Sequence, residues 1–138
     1  RADLVARLNR VLPTRETDRG VVAQISGVQF ATGAATLNTS AREALARFAG
    51  IVGIYPSMRF QVEGHTDTTG SYAKNMQLSL HRPISLQDYL VVHGFAASTI
   101  DVKGLSQYRP VADNVTAAGR AANRRVEIVI TGGPIVAQ

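Results

Sequence analysis

The sequence predicts a two-layer α/β sandwich, a mixed β-sheet with helices packed on one face. Three observations carry that prediction. Segments of period two alternate with segments of helical period, in the order strand, helix, strand, helix, strand, loop, strand (βαβαββ). The strand segments each carry one polar face, so helices are needed on the other face only. The first two connections are long enough to join parallel strands by right-handed crossovers.

Leu4, Leu8, Val11 and Leu12 recur at helical spacing until Pro13 stops the pattern. Residues 1–20 are therefore expected to be an upstream helix or linker, with "TRETDRG" as a polar break and the folded domain occupying 21–138. "VVAQISGVQF" reads as the first strand, where Gly27 marks a bulge or a close backbone approach. "NTSAREALARFAGIVGIYP" is expected to be a helix capped by Thr39 or Ser40 and ended by Pro56, with Leu45, Phe48, Ala49 and Val52 on one face. In "MRFQVEGH", Phe60 and Val62 oppose Arg59, Gln61 and Glu63. A second helix is expected over residues 75 to 92, with Gly94 at its C-terminal end. "STIDVKG" alternates again, and "RRVEIVIT" closes the pattern with Val126, Ile128 and Ile130 inward.

Composition narrows the function classes. The chain has 138 residues, 45% hydrophobic and 18% charged, which suits one globular domain with a buried core. Cysteine is absent, excluding disulfides and thiolate metal sites. No stretch approaches the ~20 apolar residues of a membrane-spanning helix. The chain opens "RADLVARLNR", without methionine, and is expected to be a piece of a longer protein. The net charge of +5 is spread along the chain except at "GRAANRR", and there is no aromatic platform for nucleic-acid bases, so no nucleic-acid partner is expected.

Chemistry concentrates in "VEGHTDTTG", residues 62 to 70. Glu63, His65 and Asp67 sit two apart, which on an extended backbone places them on one face. That spacing permits a metal site but does not specify one, since His81 and His93 lie too far along the second helix to join. No metal and no other cofactor is expected. Nucleophilic catalysis lacks a strained serine turn, and a lone histidine after a strand is more often a structural hydrogen-bonding group. Binding explains more. Asn75, Leu78, Ser79 and Arg82 fall on one helical face that starts just after the "GHTDTTG" turn, placing Asp67 and Arg82 across a cleft. A simple salt bridge would account for such a pair. The surrounding amides and hydroxyls also suit a zwitterionic ligand, with Asp67 for its ammonium and Arg82 bidentate to its carboxylate.

Four blocks, "VQFATGAATL", "GHTDTTG", "NMQLSLHR" and "NVTAAGRAANRRVEI", resemble in order and spacing the signature of the OmpA-like C-terminal domain, over roughly residues 21 to 131. The resemblance implies a non-catalytic periplasmic module that binds peptidoglycan through the diaminopimelate side chain of the stem peptide. It implies that Asp67 and Arg82 are the main contacts, that Thr32 and Gly33 form a turn closing over the ligand, and that Thr69, Asn75 and Arg124 line the same pocket. It assigns Arg120 and Asn123 to loop structure. His65 is expected to brace the loop. By the same resemblance the parent is an outer-membrane-associated protein, a lipoprotein being one option, tethered to the wall from the periplasm. The competing reading is a cell-wall hydrolase using Glu63, His65 and Asp67. Two positions depart from the family pattern. Ala31 stands where an acidic residue is usual, and Pro83 follows Arg82 where alanine is usual. An interior helix proline costs about 3 kcal/mol and biases the preceding residue away from helical dihedrals, so Arg82 is the contact most exposed to change.

Overall fold

A computed structural model describes residues 1–133 and 135; residues 134 and 136–138 of the expected domain lie outside the described residues. The elements run α1 (Ala2–Asn9), β1 (Thr14–Thr17), β2 (Gly20–Ser26), α2 (Thr39–Val52), β3 (Met58–His65), α3 (Tyr72–Val92), β4 (Ile100–Gly104), α4 (Ala117–Asn123) and β5 (Arg125–Gly132). Short 3₁₀ turns at Gly27–Gln29 and Ala97–Thr99 fill the corners. Among the described residues the strands form one mixed sheet in the order β1-β2-β5-β3-β4. No helix among them is long and apolar enough to cross a membrane.

The predicted layers are present, with two corrections to the strands. "TRETDRG" is not a break. Thr14–Thr17 pairs antiparallel with β2 as an edge strand, Thr14 opposite Ala23 and Thr17 opposite Gly20. Its outer, polar residues gave no alternation to read. The first crossover, β2 through α2 to β3, also does not make an adjacent parallel pair. β5 inserts between those strands and is antiparallel to both, leaving β3–β4 as the parallel pair. The physical reason is that β5 is buried on both faces: Val126, Ile128 and Ile130 are fully covered, and Arg125, Glu127 and Val129 nearly so. Such a strand belongs in the centre of a sheet.

One hydrophobic core lies between the sheet and the helices. It joins Leu4, Leu8 and Leu12 of the first segment to Leu45 and Phe48 of α2, Leu86 and Leu90 of α3, and the inward residues of β2, β3 and β5. The residues expected as an upstream helix or linker thus pack into this same core and sheet.

Helix ends follow side-chain caps more closely than the apolar pattern did. Asn38, rather than Thr39 or Ser40, caps α2 by accepting from the Ala41 amide at 2.9 Å. Ser71 caps α3 by accepting from Lys74 N, which starts that helix three residues ahead of its apolar face, at Tyr72. At the other end, Gly94 takes φ +100° while its own amide bonds Val91 O and that of Phe95 bonds Leu90 O. That paired closure satisfies the last carbonyls of the helix as expected. Pro83 lies inside α3, and the helix continues through it.

Candidate functional site

Glycine at position 64 sets the geometry of the site. A Cβ there would overlap Ser79 O and lie 2.8 Å from Pro83 Cδ, so α3 rests directly on the backbone of β3. Gly104 on β4 meets the same turn, where a Cβ would lie 3.0 Å from Leu80 N. These contacts hold the Asn75–Arg82 face of α3 beside the loop that leaves β3. The cavity between them has a volume of about 460 Å³. Gly33, Asp67, Thr69, Asn75, Arg82 and Arg124 line it together, six of the seven residues expected at the site. Thr32 does not line it; its side chain is exposed on the neighbouring turn.

Asp67 is buried, and each of its carboxylate oxygens has one partner. Oδ1 accepts from the Thr69 amide at 2.7 Å, and Oδ2 pairs with Arg124 Nη1 at 2.5 Å. Burial alone would raise its pKa, but those two donors outweigh it and hold the carboxyl below its usual range. The simple Asp67–Arg82 salt bridge that competed with a ligand reading does not form; the ion pair of Asp67 is with Arg124. Asn75 uses its amide nitrogen on the loop, donating to Thr69 O at 3.0 Å.

Arg82 has a different environment. It is 7% exposed, its Nε donates to Ala34 O at 2.9 Å, and its guanidinium lies 4.7 Å from the Phe30 ring centroid. No carboxylate pairs with it among the described residues. Burial first, and then the neighbouring charge of Arg124, lower its pKa. An arginine remains protonated under such conditions, so this is a desolvated cation in a cavity that Lys74, Arg120 and Arg124 also line. Pro83 has not turned it out. The helix is continuous through Pro83, and the carbonyl that a proline frees, that of Ser79, lies close against Gly64.

Leu78, expected on the cleft-facing stripe of the helix, lines the pocket as well, whereas Thr66, Gly70, Lys74 and Arg120 were not expected as lining residues. Lys74 was legible in principle, since it precedes Arg82 by about two turns. Lys74 Nζ reaches to 3.6 Å from where a Gly33 side chain would begin, connecting α3 with the 31–36 turn. Arg120 lines the pocket while donating to Asn114 O and Val115 O, so the loop role expected of it is present as well. Asn123 is fully buried and ties residues 111, 112 and 114 to α4.

Glu63 and His65 are not part of this pocket. β3 ends at His65 and the Thr66 amide turns to bond Ser106 O, so alternation does not extend to Asp67. Glu63 and His65 face the helix-free side of the sheet, in a separate cavity of about 620 Å³ with Arg15, Arg19, Arg125 and Glu127. The three-residue grouping behind the hydrolase reading is not assembled. The expected bracing by His65 is absent too, since neither ring nitrogen has a partner among the described residues.

This combination defines a class: a small α/β binding module whose polar, cation-bearing pocket opens where a strand end meets a helix. Residues 29–124 match the model of the OmpA family, and the chain belongs to that family. The probable lipoprotein YiaD of Escherichia coli is 37% identical over 118 residues, which cover 86% of this chain and 54% of that protein. The peptidoglycan-binding protein ArfA of Mycobacterium tuberculosis is 41% identical over 103 residues, 75% of this chain and 32% of that protein. The chain thus spans about half of one relative and a third of the other. Among solved structures, the cell wall anchor of the type VI secretion system from Pseudomonas aeruginosa superposes with a TM-score of 0.81 at 26% identity, covering 94% of this chain and 96% of that one. A putative MotB-like protein from Desulfovibrio vulgaris shares the fold, with a TM-score of 0.85 at 20% identity over 95% of this chain and 90% of its own.

Proposed function

We propose that this chain is a non-catalytic module that binds peptidoglycan by gripping the diaminopimelate side chain of the stem peptide, and so tethers an outer-membrane-associated parent to the cell wall from the periplasm. The observation that carries the reading is Arg82, a buried guanidinium without an acidic partner among the described residues. Burying an unpaired cation is unfavourable unless something supplies the charge, and a ligand carboxylate would do so in bidentate geometry. Asp67, already held ionised, offers the opposite charge within the same pocket. Diaminopimelate ends in a carbon bearing both an ammonium and a carboxylate, which matches that pair. The names of ArfA and of the secretion-system anchor support the polymer as the target.

Calorimetry with two stem peptides tests the reading. Lysine at the same stem position offers Asp67 an ammonium but leaves Arg82 unpaired, at a cost of about 1–3 kcal/mol. The diaminopimelate peptide should therefore bind roughly tenfold to a hundredfold more tightly. Arg82→Ala should weaken its binding and erase most of that preference. Equal affinities in the unmutated domain would overturn the assignment of diaminopimelate, and failure of the domain to sediment with purified sacculi would overturn peptidoglycan itself.

A further inference from the structure

The helix-free face of the sheet holds a second polar constellation that the pocket does not use. Glu63 and Glu127 are directly opposite each other in the β3–β5 register, and His65 follows two residues along the same face. All three are at least nine-tenths buried, with exposures of 3%, 5% and 4%. Like charges directly opposite in a sheet destabilise it unless a cation lies between them. Each carboxylate has one oxygen engaged: Glu63 Oε2 with Arg19 and with Gln61, and Glu127 Oε2 with Arg125 Nε at 2.8 Å. Glu63 Oε1 and both ring nitrogens of His65 are buried without a hydrogen-bond partner among the described residues.

The geometry points to a divalent-cation site, of the Zn²⁺ class, formed by Glu63, His65 and Glu127. One donor atom from each lies within 4.8 Å of the others. Donors of a tetrahedral zinc ion at about 2.0–2.2 Å lie about 3.3–3.6 Å apart, so the side chains must close inward by about 1 Å to complete the set. Imidazole with carboxylates is a donor set that zinc accepts, and the cavity leaves room for water in a fourth position. Neither ring nitrogen of His65 is committed to a partner among the described residues, which leaves the imidazole free to ligate. A metal there competes with cations already lining the cavity, Arg15 and Arg125 on Glu127 and Arg19 on Glu63, with Lys103 and Arg109 nearby. The one to be displaced from Glu63 is Arg19. Its side chain is half exposed, and it can leave Glu63 for solvent when a metal arrives, whereas Arg125 is enclosed. The cation would then clamp β3 to β5 from the side opposite the core.

Titration of chelator-stripped protein with Zn²⁺, followed by calorimetry and by the imidazole ¹⁵N resonances, tests the site. One equivalent should bind saturably and shift the nitrogens of His65, leaving those of the exposed His81 and His93 in place. Glu63→Gln and Glu127→Gln should weaken binding at least tenfold. Arg19→Gln, a change at a half-exposed side chain that leaves the buried acids intact, should tighten it severalfold by removing the competing cation. The proposal is overturned by an absence of saturation at millimolar Zn²⁺, by shifts confined to His81 or His93, or by an Arg19→Gln affinity that is unchanged or weaker.

Discussion

Two cavities are built from the same two stretches of chain, and they leave different kinds of group unpaired. Toward the helices, Asp67 is paired with Arg124 while Arg82 has no acid. Behind the sheet, Glu127 is paired with Arg125 and Glu63 with Arg19, while Glu63 Oε1 and both ring nitrogens of His65 have no partner among the described residues. Arg124 and Arg125 are consecutive, and extended backbone sends them to opposite sides. Both linings carry more cations than acids; the first leaves a guanidinium without an acid, and the second leaves a carboxylate oxygen and an imidazole without partners. The back cavity is the larger, yet size does not identify the ligand site. What distinguishes the two is which kind of group has been left unpaired, and therefore what each can take up.

The strongest way to break this contrast is to remove the acid that serves the helix side. Asp67→Ala should abolish sedimentation with sacculi, since it leaves a ligand ammonium buried without a partner at a cost of about 2–5 kcal/mol. The fold should persist, because Arg124 is partly exposed and can be rehydrated. Arg19→Gln, on the other cavity, should sediment as the unmutated domain does. Normal sedimentation of folded Asp67→Ala, or loss of sedimentation by Arg19→Gln, would show that the two cavities do not divide the work this way.

A second intervention moves the helix. In Gly64→Ala the new methyl would meet Ser79 O and Pro83 Cδ, neither of which can rotate away. Overpacking of this kind costs typically about 1–3 kcal/mol, and contacts with rigid backbone belong at the upper end. Because α3 must lift from β3, Arg82 should also withdraw from Asp67, so urea denaturation and stem-peptide affinity should fall together. The back cavity contains no α3 residue, and its Zn²⁺ titration should be unaffected. A stable variant with native ligand affinity would mean that the helix has more room than the Gly64 contact implies.

The contrast also explains what could be read from the sequence. Alternation exposed the inward residues of β3 and β5, and the one-face helical stripe brought Asn75 and Arg82 to the pocket. Alternation failed where the strand stopped: Asp67 continued the Glu63–His65 spacing on paper, but the Thr66 amide bonds Ser106 instead of extending β3. β1 was missed because an edge strand with little buried surface carries no hydrophobic signal. The choice between Arg82 and Arg124 as partner of Asp67 was not legible either. It depends on where α4 ends, with Arg124 in extended conformation after Asn123. The placement of β5 between β2 and β3 required knowing that Glu127 and Arg125 neutralise one another and so permit burial on both faces.

The smallest expected effect concerns Pro83, next to the residue that most separates the two cavities. With α3 starting at Tyr72, this proline is well inside the helix and forgoes a backbone bond to Ser79 O, a loss worth about 3 kcal/mol against alanine in an isolated helix. Two features reduce the gain from replacing it. Ser79 O is already seated on Gly64, so the bond it would accept must be made without withdrawing from that contact. The proline ring is also buried, and truncating it to alanine forfeits on the order of 1–2 kcal/mol of apolar burial. The balance is a net stabilisation of about 1 kcal/mol, corresponding to a rise in Tm of roughly 2–6 °C for a domain of this size. Stem-peptide affinity should stay within about twofold, because Nε of Arg82 remains anchored on Ala34 O. A lower melting temperature would show that proline packing against β3 outweighs the missing helical bond. A fall in affinity with stability gained would show instead that the proline helps to present Arg82 to the pocket.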